Sequence, residues 1–107
     1  MNVASNDNIK CSIALSDLYN VMDPEIGLNV VDLGLIYKID FDEPNKKIDL
    51  EMTLTTQFCP MGESITSNVN QSVSNSFPNW EVKVDLTFEP AWDFSMISPE
   101  GQEYLGH

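Results

Sequence analysis

Apolar and polar residues alternate along three stretches of this chain, and in two others apolar residues return every three or four positions. Leu35, Tyr37, Ile39 and Phe41 alternate with Ile36, Lys38, Asp40 and Asp42. Ile48, Leu50, Met52 and Leu54 alternate with Asp49, Glu51 and Thr53. A period of two marks a strand with one face buried. The polar Glu43-Pro44-Asn45-Lys46 between these stretches predicts an antiparallel hairpin, apolar on one face and wet on the other. Trp80, Val82, Val84, Leu86 and Phe88 predict a third strand.

Helical spacing appears first within residues 9–22, where Leu15, Leu18, Tyr19 and Met22 fall on one face. Asp23-Pro24 should stop that helix, because the residue before proline is pushed out of the α region. Ile65, Val69, Val73 and Phe77 form a second stripe, which Met61 extends forward. The serines, threonines and asparagines between them favour helix weakly, so packing must hold it. Ser98-Pro99-Glu100 caps a short final helix. Residues 23–34 combine two glycines with several apolar side chains, which predicts a structured loop.

The resulting order is α-β-β-α-β-α: an α+β fold, a two-layer sandwich of a small mixed sheet with helices on one face. A helix in the link between the second and third strands leaves room for a parallel pairing. At 107 residues the chain is expected to be one domain, residues 1–107, with residues 1–8 as a flexible tail.

Charge narrows the partners. Five basic and seventeen acidic residues give a formal net charge of -12. Phosphate backbones and anionic lipid surfaces are repelled at long range, so neither nucleic acid nor membrane is an expected partner. There is no long apolar run of membrane-spanning kind, and the first residues lack the basic and apolar regions of a leader. A cytoplasmic location is expected, with Cys11 and Cys59 as reduced thiols. The one histidine is His107, so Ser-His-Asp and Cys-His pairs have no credible base, and one chain cannot complete a Cys/His zinc site. No enzymatic activity is expected.

Cys59 is the residue with a local reason to be reactive. It falls where a helix N-cap belongs, with Pro60 in the first-turn position that proline prefers. A helix N-terminus lowers a thiol's pKa and so favours the thiolate that attacks electrophiles or binds metal. Thr55 and Thr56 add hydroxyls nearby. The other reading, a small inert residue at a tight turn, stays open on spacing alone. Cys11 reads as incidental. Asp23, Glu25 and Asp32 are suited to a hard cation or to acid–base work, and equally to capping local turns. Trp92 and Phe94 suit either an exposed recognition patch or the closing of the core edge.

Three segments together resemble one family: Asp23 to Tyr37 (Asp-Pro-Glu-Ile-Gly-Leu-Asn-Val-Val-Asp-Leu-Gly-Leu-Ile-Tyr), Met52 to Gly62 (Met-Thr-Leu-Thr-Thr-Gln-Phe-Cys-Pro-Met-Gly), and Phe88-Glu89-Pro90-Ala91-Trp92. The resemblance is to the SufT/PaaD-like iron–sulfur cluster assembly domains, relatives of the cytosolic iron–sulfur targeting factors of eukaryotes, and covers about residues 12–106. It departs from the family pattern at Gln57-Phe58 and at Ala91, where a second proline is usual. It implies a compact α+β domain that matures or delivers metal–sulfur clusters. It also implies that Cys59 is the functional thiol and metal ligand, with Thr55, Thr56, Asp23 and Glu25 around the same pocket. Clusters usually take four cysteines. One candidate per chain therefore points to transient ligation shared with a second protomer, a small thiol or a client. Iron–sulfur scaffolds, client apoproteins and a homodimeric copy are the expected partners. The alternative is an adaptor of the assembly machinery that holds no metal, with Cys59 structural.

Overall fold

A computed structural model of the chain describes residues 3–23, 26–55, 62–89 and 91–105. Three helices, α1 (Asn8–Leu18), α2 (Gly62–Ser76) and α3 (Pro99–Tyr104), accompany strands β1 (Ala4–Ser5), β2 (Met22–Asp23), β3 (Leu28–Asn29), β4 (Ile36–Asp42), β5 (Lys47–Met52) and β6 (Glu81–Leu86). The main sheet has the order β1-β4-β5-β6, and β2 and β3 make a separate small hairpin. The α+β reading holds, including the mixed sheet. β4 and β5 are antiparallel, whereas β5–β6 and β1–β4 are parallel.

The two central strands behave as their alternation requires. Ile48, Leu50 and Met52 of β5 are buried, while Lys47 and Asp49 face water. α2 covers the apolar side with Ile65, Val69, Val73 and Phe77, all buried. Each such side chain removed from water contributes roughly 1.5–3 kcal/mol, which offsets the weak propensity of α2. At one end of the sheet Phe41, Phe77 and Trp80 close the core, with ring centroids 5.6–6.0 Å apart.

Four expectations need correction. First, residues expected to belong to a flexible tail over 1–8 are tied to the sheet: β1 pairs with β4, and the Asn6 side-chain amide exchanges two bonds with the Phe41 backbone, at 2.8 and 2.9 Å. Asp7 then caps α1 by accepting from the Lys10 amide at 3.0 Å. Second, α1 ends at Leu18 because Met22–Asp23 pairs with Leu28–Asn29 instead of continuing the helix. Its buried face is Cys11, Ala14 and Leu18, of which the small Cys11 and Ala14 let α1 approach α2, while Tyr19 and Met22 are 41% and 47% exposed.

Third, β4 does not alternate cleanly. Ile36 pairs with Met52 and Lys38 with Glu51, so Tyr37 is the extra residue of a β-bulge. The bulge puts Ile36 and Ile39 on the core face three positions apart, both buried. Fourth, Thr53, predicted to face water, is buried: its amide carries the β4–β5 register past Met52 by bonding the Leu35 carbonyl at 2.8 Å, and its side chain meets the Tyr37 hydroxyl. In β6, Val82, Val84 and Asp85 are partly covered and none is fully buried. Leu86 and Phe88 are 45% and 39% exposed, as suits an edge strand covered on one side only.

The predicted structured loop is observed on residues 30–35. Val30, Val31, Leu33 and Leu35 are buried, and the Gly34 amide bonds the Val31 carbonyl at 3.0 Å. Gly34 has φ +76°, and a Cβ there would run into the Met96 carbonyl oxygen. Among the described residues no helix is long and apolar enough to cross a membrane.

Candidate functional site

β5, α2 and β6 form a parallel crossover unit, and its carboxyl end is where the sequence places the chemistry. In open sheets with parallel strands, ligands bind beyond the carboxyl ends of the strands, where a helix N-terminus adds partial positive charge. Met52 ends β5, and Thr53, Leu54 and Thr55 lead out of it; Gly62 is the first residue of α2. Cys59, Thr56 and Pro60 belong to residues 56–61, which lie outside the described residues, as does Glu25. Of the predicted site residues, Thr55 and Asp23 are described.

Thr55 is partly buried where the chain bends away from the sheet. Beneath it, Thr53 is fully buried. Tyr37, the bulged residue, brings its hydroxyl to this corner, 3.6 Å from the Met96 sulfur. Burial pushes the Tyr37 hydroxyl above the ordinary tyrosine pKa; a hydrogen bond with Thr53 pulls it back and the charge of Asp93 adds to the rise. Neither Tyr37 nor Met96 was legible as a site residue, since only the bulge turns Tyr37 out of the plain alternation.

Asp23 is 1% exposed. Its carbonyl accepts from the Ile26 and Gly27 amides at 3.3 and 2.7 Å, and Gly27 takes φ +80° to close that turn. The turn role foreseen for Asp23 is therefore filled by its backbone, while its carboxylate is not left unsatisfied. A run of backbone bonds ties this hairpin to the end of β5: Val30 to Val21 at 2.9 Å, Leu35 to Val30 at 3.1 Å, Thr53 to Leu35 at 2.8 Å. Asp23 and Thr55 each follow by two residues a member of this run, Val21 and Thr53.

Asp32 is structural. One carboxylate oxygen accepts from the Asn29 side chain at 2.7 Å and the other from the Ser98 hydroxyl at 2.8 Å. Ser98 also caps α3, accepting from the Gly101 amide at 3.0 Å. One oxygen of Asp32 thus joins the loop to the start of α3, and the other braces the loop locally through Asn29. Trp92 takes the core-closing role: it is partly buried, and its indole N–H donates to the Leu33 carbonyl at 2.6 Å. Cys11 is a buried free thiol inside the core. Among the described residues no three His, Cys, Asp or Glu side chains are grouped to hold a metal ion. A groove of about 580 Å³ between the end of α1 and α2 is lined by Asp17, Met22, Gln71 and Asn75, and contains none of the predicted site residues.

A small α+β domain with a parallel β–α–β crossover and an aromatic-pinned loop at its carboxyl end is the class that fold and site define. Residues 14–86 match the family described as iron–sulfur cluster assembly protein, and the chain belongs to that family. It is 43% identical over 89 residues to an Fe-S protein maturation auxiliary factor of Porphyromonas gingivalis, covering 83% of this chain and 84% of that one. It is 34% identical over 86 residues to the Fe-S protein maturation auxiliary factor SufT of Staphylococcus aureus, covering 80% and 97%. The crystal structure of a domain of unknown function (DUF59) from Bacillus anthracis superposes with a TM-score of 0.85 at 32% identity, covering 92% of each chain.

Proposed function

We propose that this protein is an accessory factor in iron–sulfur cluster assembly, one that helps to mature client apoproteins or delivers clusters to them, without catalysing a reaction itself. The observation that carries this reading is the family match over residues 14–86, joined by relatives named as maturation auxiliary factors. The cluster is cargo, and Cys59 is its ligand from this chain. The chain has two cysteines, and Cys11 is sealed in the core, so Cys59 is the thiol left for the task. A single thiolate falls well short of the four that a cluster usually takes. The remaining ligands come from a second protomer, a small thiol or the client's own cysteines, which suits brief holding and release. Thr55 and Thr56 flank the cargo, and Asp23 and Glu25 stand beside it. Scaffolds, client apoproteins and a homodimeric copy are the partners, in the cytoplasm.

The test is anaerobic reconstitution with ferrous iron and sulfide, with and without glutathione, on wild type and Cys59→Ser, with light scattering to read size. Wild type should gain visible sulfur-to-iron charge-transfer absorbance, and the variant should lose most of it while keeping its melting temperature. Absorbance that is equal and substantial in both proteins rules out the ligand role; absorbance in neither favours the metal-free adaptor.

A further inference from the structure

The sheet has two edges, and they are treated differently. On one side β1 is only two residues long, and the Asn6 side chain continues its ladder. On the other side β6 runs for six residues from Glu81 to Leu86. Exposed edges of that length invite a further strand and are usually blunted.

Here the blunting is partial. The Glu81 and Thr87 amides bond β5, at the Lys46 and Met52 carbonyls, 2.8 and 2.9 Å away. In a parallel ladder the residues between them, Val82, Val84 and Leu86, turn both amide and carbonyl away from β5. The Val82 carbonyl is capped by the Asn70 side chain of α2 at 2.9 Å. Val84 and Leu86 have no such cap among the described residues. Beside them an open groove of about 310 Å³ is lined by Thr66, Ser67, Asn70 and Val84. Leu86 and Phe88, 45% and 39% exposed, extend it as an apolar shelf.

We propose that the open edge of β6 at Val84–Leu86 is a docking site for a basic, extended segment of another protein, which adds to the sheet as a strand. Main-chain bonds to Val84 and Leu86 would supply register, and alternate side chains would supply choice. Those on the helix side meet small hydroxyl residues and then Leu86, which favours threonine or valine. Those on the open side run past Glu81 and Asp85, with Glu89 beyond, and Lys83 lies between them within 3.8 Å of Asp85. Charge selects the occupant: the chain carries -12, so a second copy brings seventeen acids against the same acids, whereas a lysine-rich strand meets attraction.

The probe is a dye-labelled heptapeptide, Lys-Val-Lys-Thr-Lys-Val-Lys, read by fluorescence anisotropy on the full chain. Its controls are the glutamate-for-lysine peptide and a copy N-methylated at alternate amides. Val84→Pro removes only an outward amide, and proline is tolerated at such an edge position. The parent peptide should bind wild type, with affinity at least ten-fold weaker for Val84→Pro, for the N-methylated copy and for the glutamate peptide. Should Val84→Pro fail to fold, the N-methylated copy on wild type decides. Equal binding of the N-methylated copy or the glutamate peptide, or no binding of the parent, overturns the proposal. So does a wild-type dimer in sedimentation that Val84→Pro dissolves while no peptide binds. None of these readouts depends on Cys59.

Discussion

At the scale of single residues, Gly34 is the most constrained position the structure describes. Its φ of +76° is one that side-chain-bearing residues rarely adopt, and the Met96 backbone occupies the space a Cβ would need. Gly34→Ala should cost about 2–4 kcal/mol, the sum of backbone strain and a forced shift of the 93–98 segment, read by urea denaturation. The Asp-Leu-Gly triplet was legible as a motif, but the separate jobs of its members were not. Asp32 bonds Asn29 within the loop and joins the loop to α3 through Ser98, sixty-six positions away, and no local pattern announces that second pairing. Thr53 was misread for a similar reason. Its side chain meets Tyr37 of the neighbouring strand, a cover that the alternation within β5 does not show.

Among the elements, β5 and α2 were read correctly because each presents one uninterrupted apolar period to the core. α1 was misread because two stripes compete within it. The larger residues Leu15, Tyr19 and Met22 suggested one face, while the close contact with α2 selected the smaller Cys11 and Ala14. In β4 a single bulged residue reset the alternation, and a period-two reading has no means of locating an insertion. The weak propensity of α2, by contrast, was plain in its composition and has a consequence for stability. Asn68 is exposed on this helix, so Asn68→Ala should stabilise the protein by about 0.5 kcal/mol. For a domain of this size that corresponds to a rise of roughly 2–4 °C in melting temperature, measurable by circular dichroism.

The whole molecule is strongly acidic, yet one of its few cations is placed to join α1 to the β4–β5 turn. Lys10 of α1 bonds Asp7 at its own N-cap and Glu43 in the β4–β5 turn. The Lys10 backbone amide first, and then its ammonium, hold the Asp7 carboxyl below the ordinary 3.8; the ammonium holds Glu43 below 4.5, and the two carboxylates, Glu43 first, raise Lys10 above 10.5. A depressed carboxylate contributes stability that is present above its unfolded value and lost as pH falls through the folded one. A raised lysine contributes stability that is present below its unfolded value and lost as pH climbs through the folded one. Lys10→Met should therefore melt slightly lower than wild type by a constant margin between about pH 5 and 9. That margin should close below about pH 3, and shrink in high salt because the groups are exposed. Relief of overall self-repulsion on acidification is shared by both proteins and drops out of the difference. A margin that persists at low pH would assign the effect to lost packing instead.

The crossover from β5 through α2 to β6 also sets the order in which the molecule can be completed during synthesis. Antiparallel β4 and β5 meet across a four-residue turn, so that hairpin can form as soon as residue 52 is free. β5 does not become an interior strand until residues 53–80 and then β6 have followed, a wait of roughly two to seven seconds at about 5–20 residues per second. For that interval Ile48, Leu50 and Met52 have no α2 above them, and the ladder of β5 is open on one side. The acidic residues of the hairpin, Asp40, Asp42, Asp49 and Glu51, are made before the wait begins. Their like charge keeps neighbouring nascent chains apart while the apolar face is still bare.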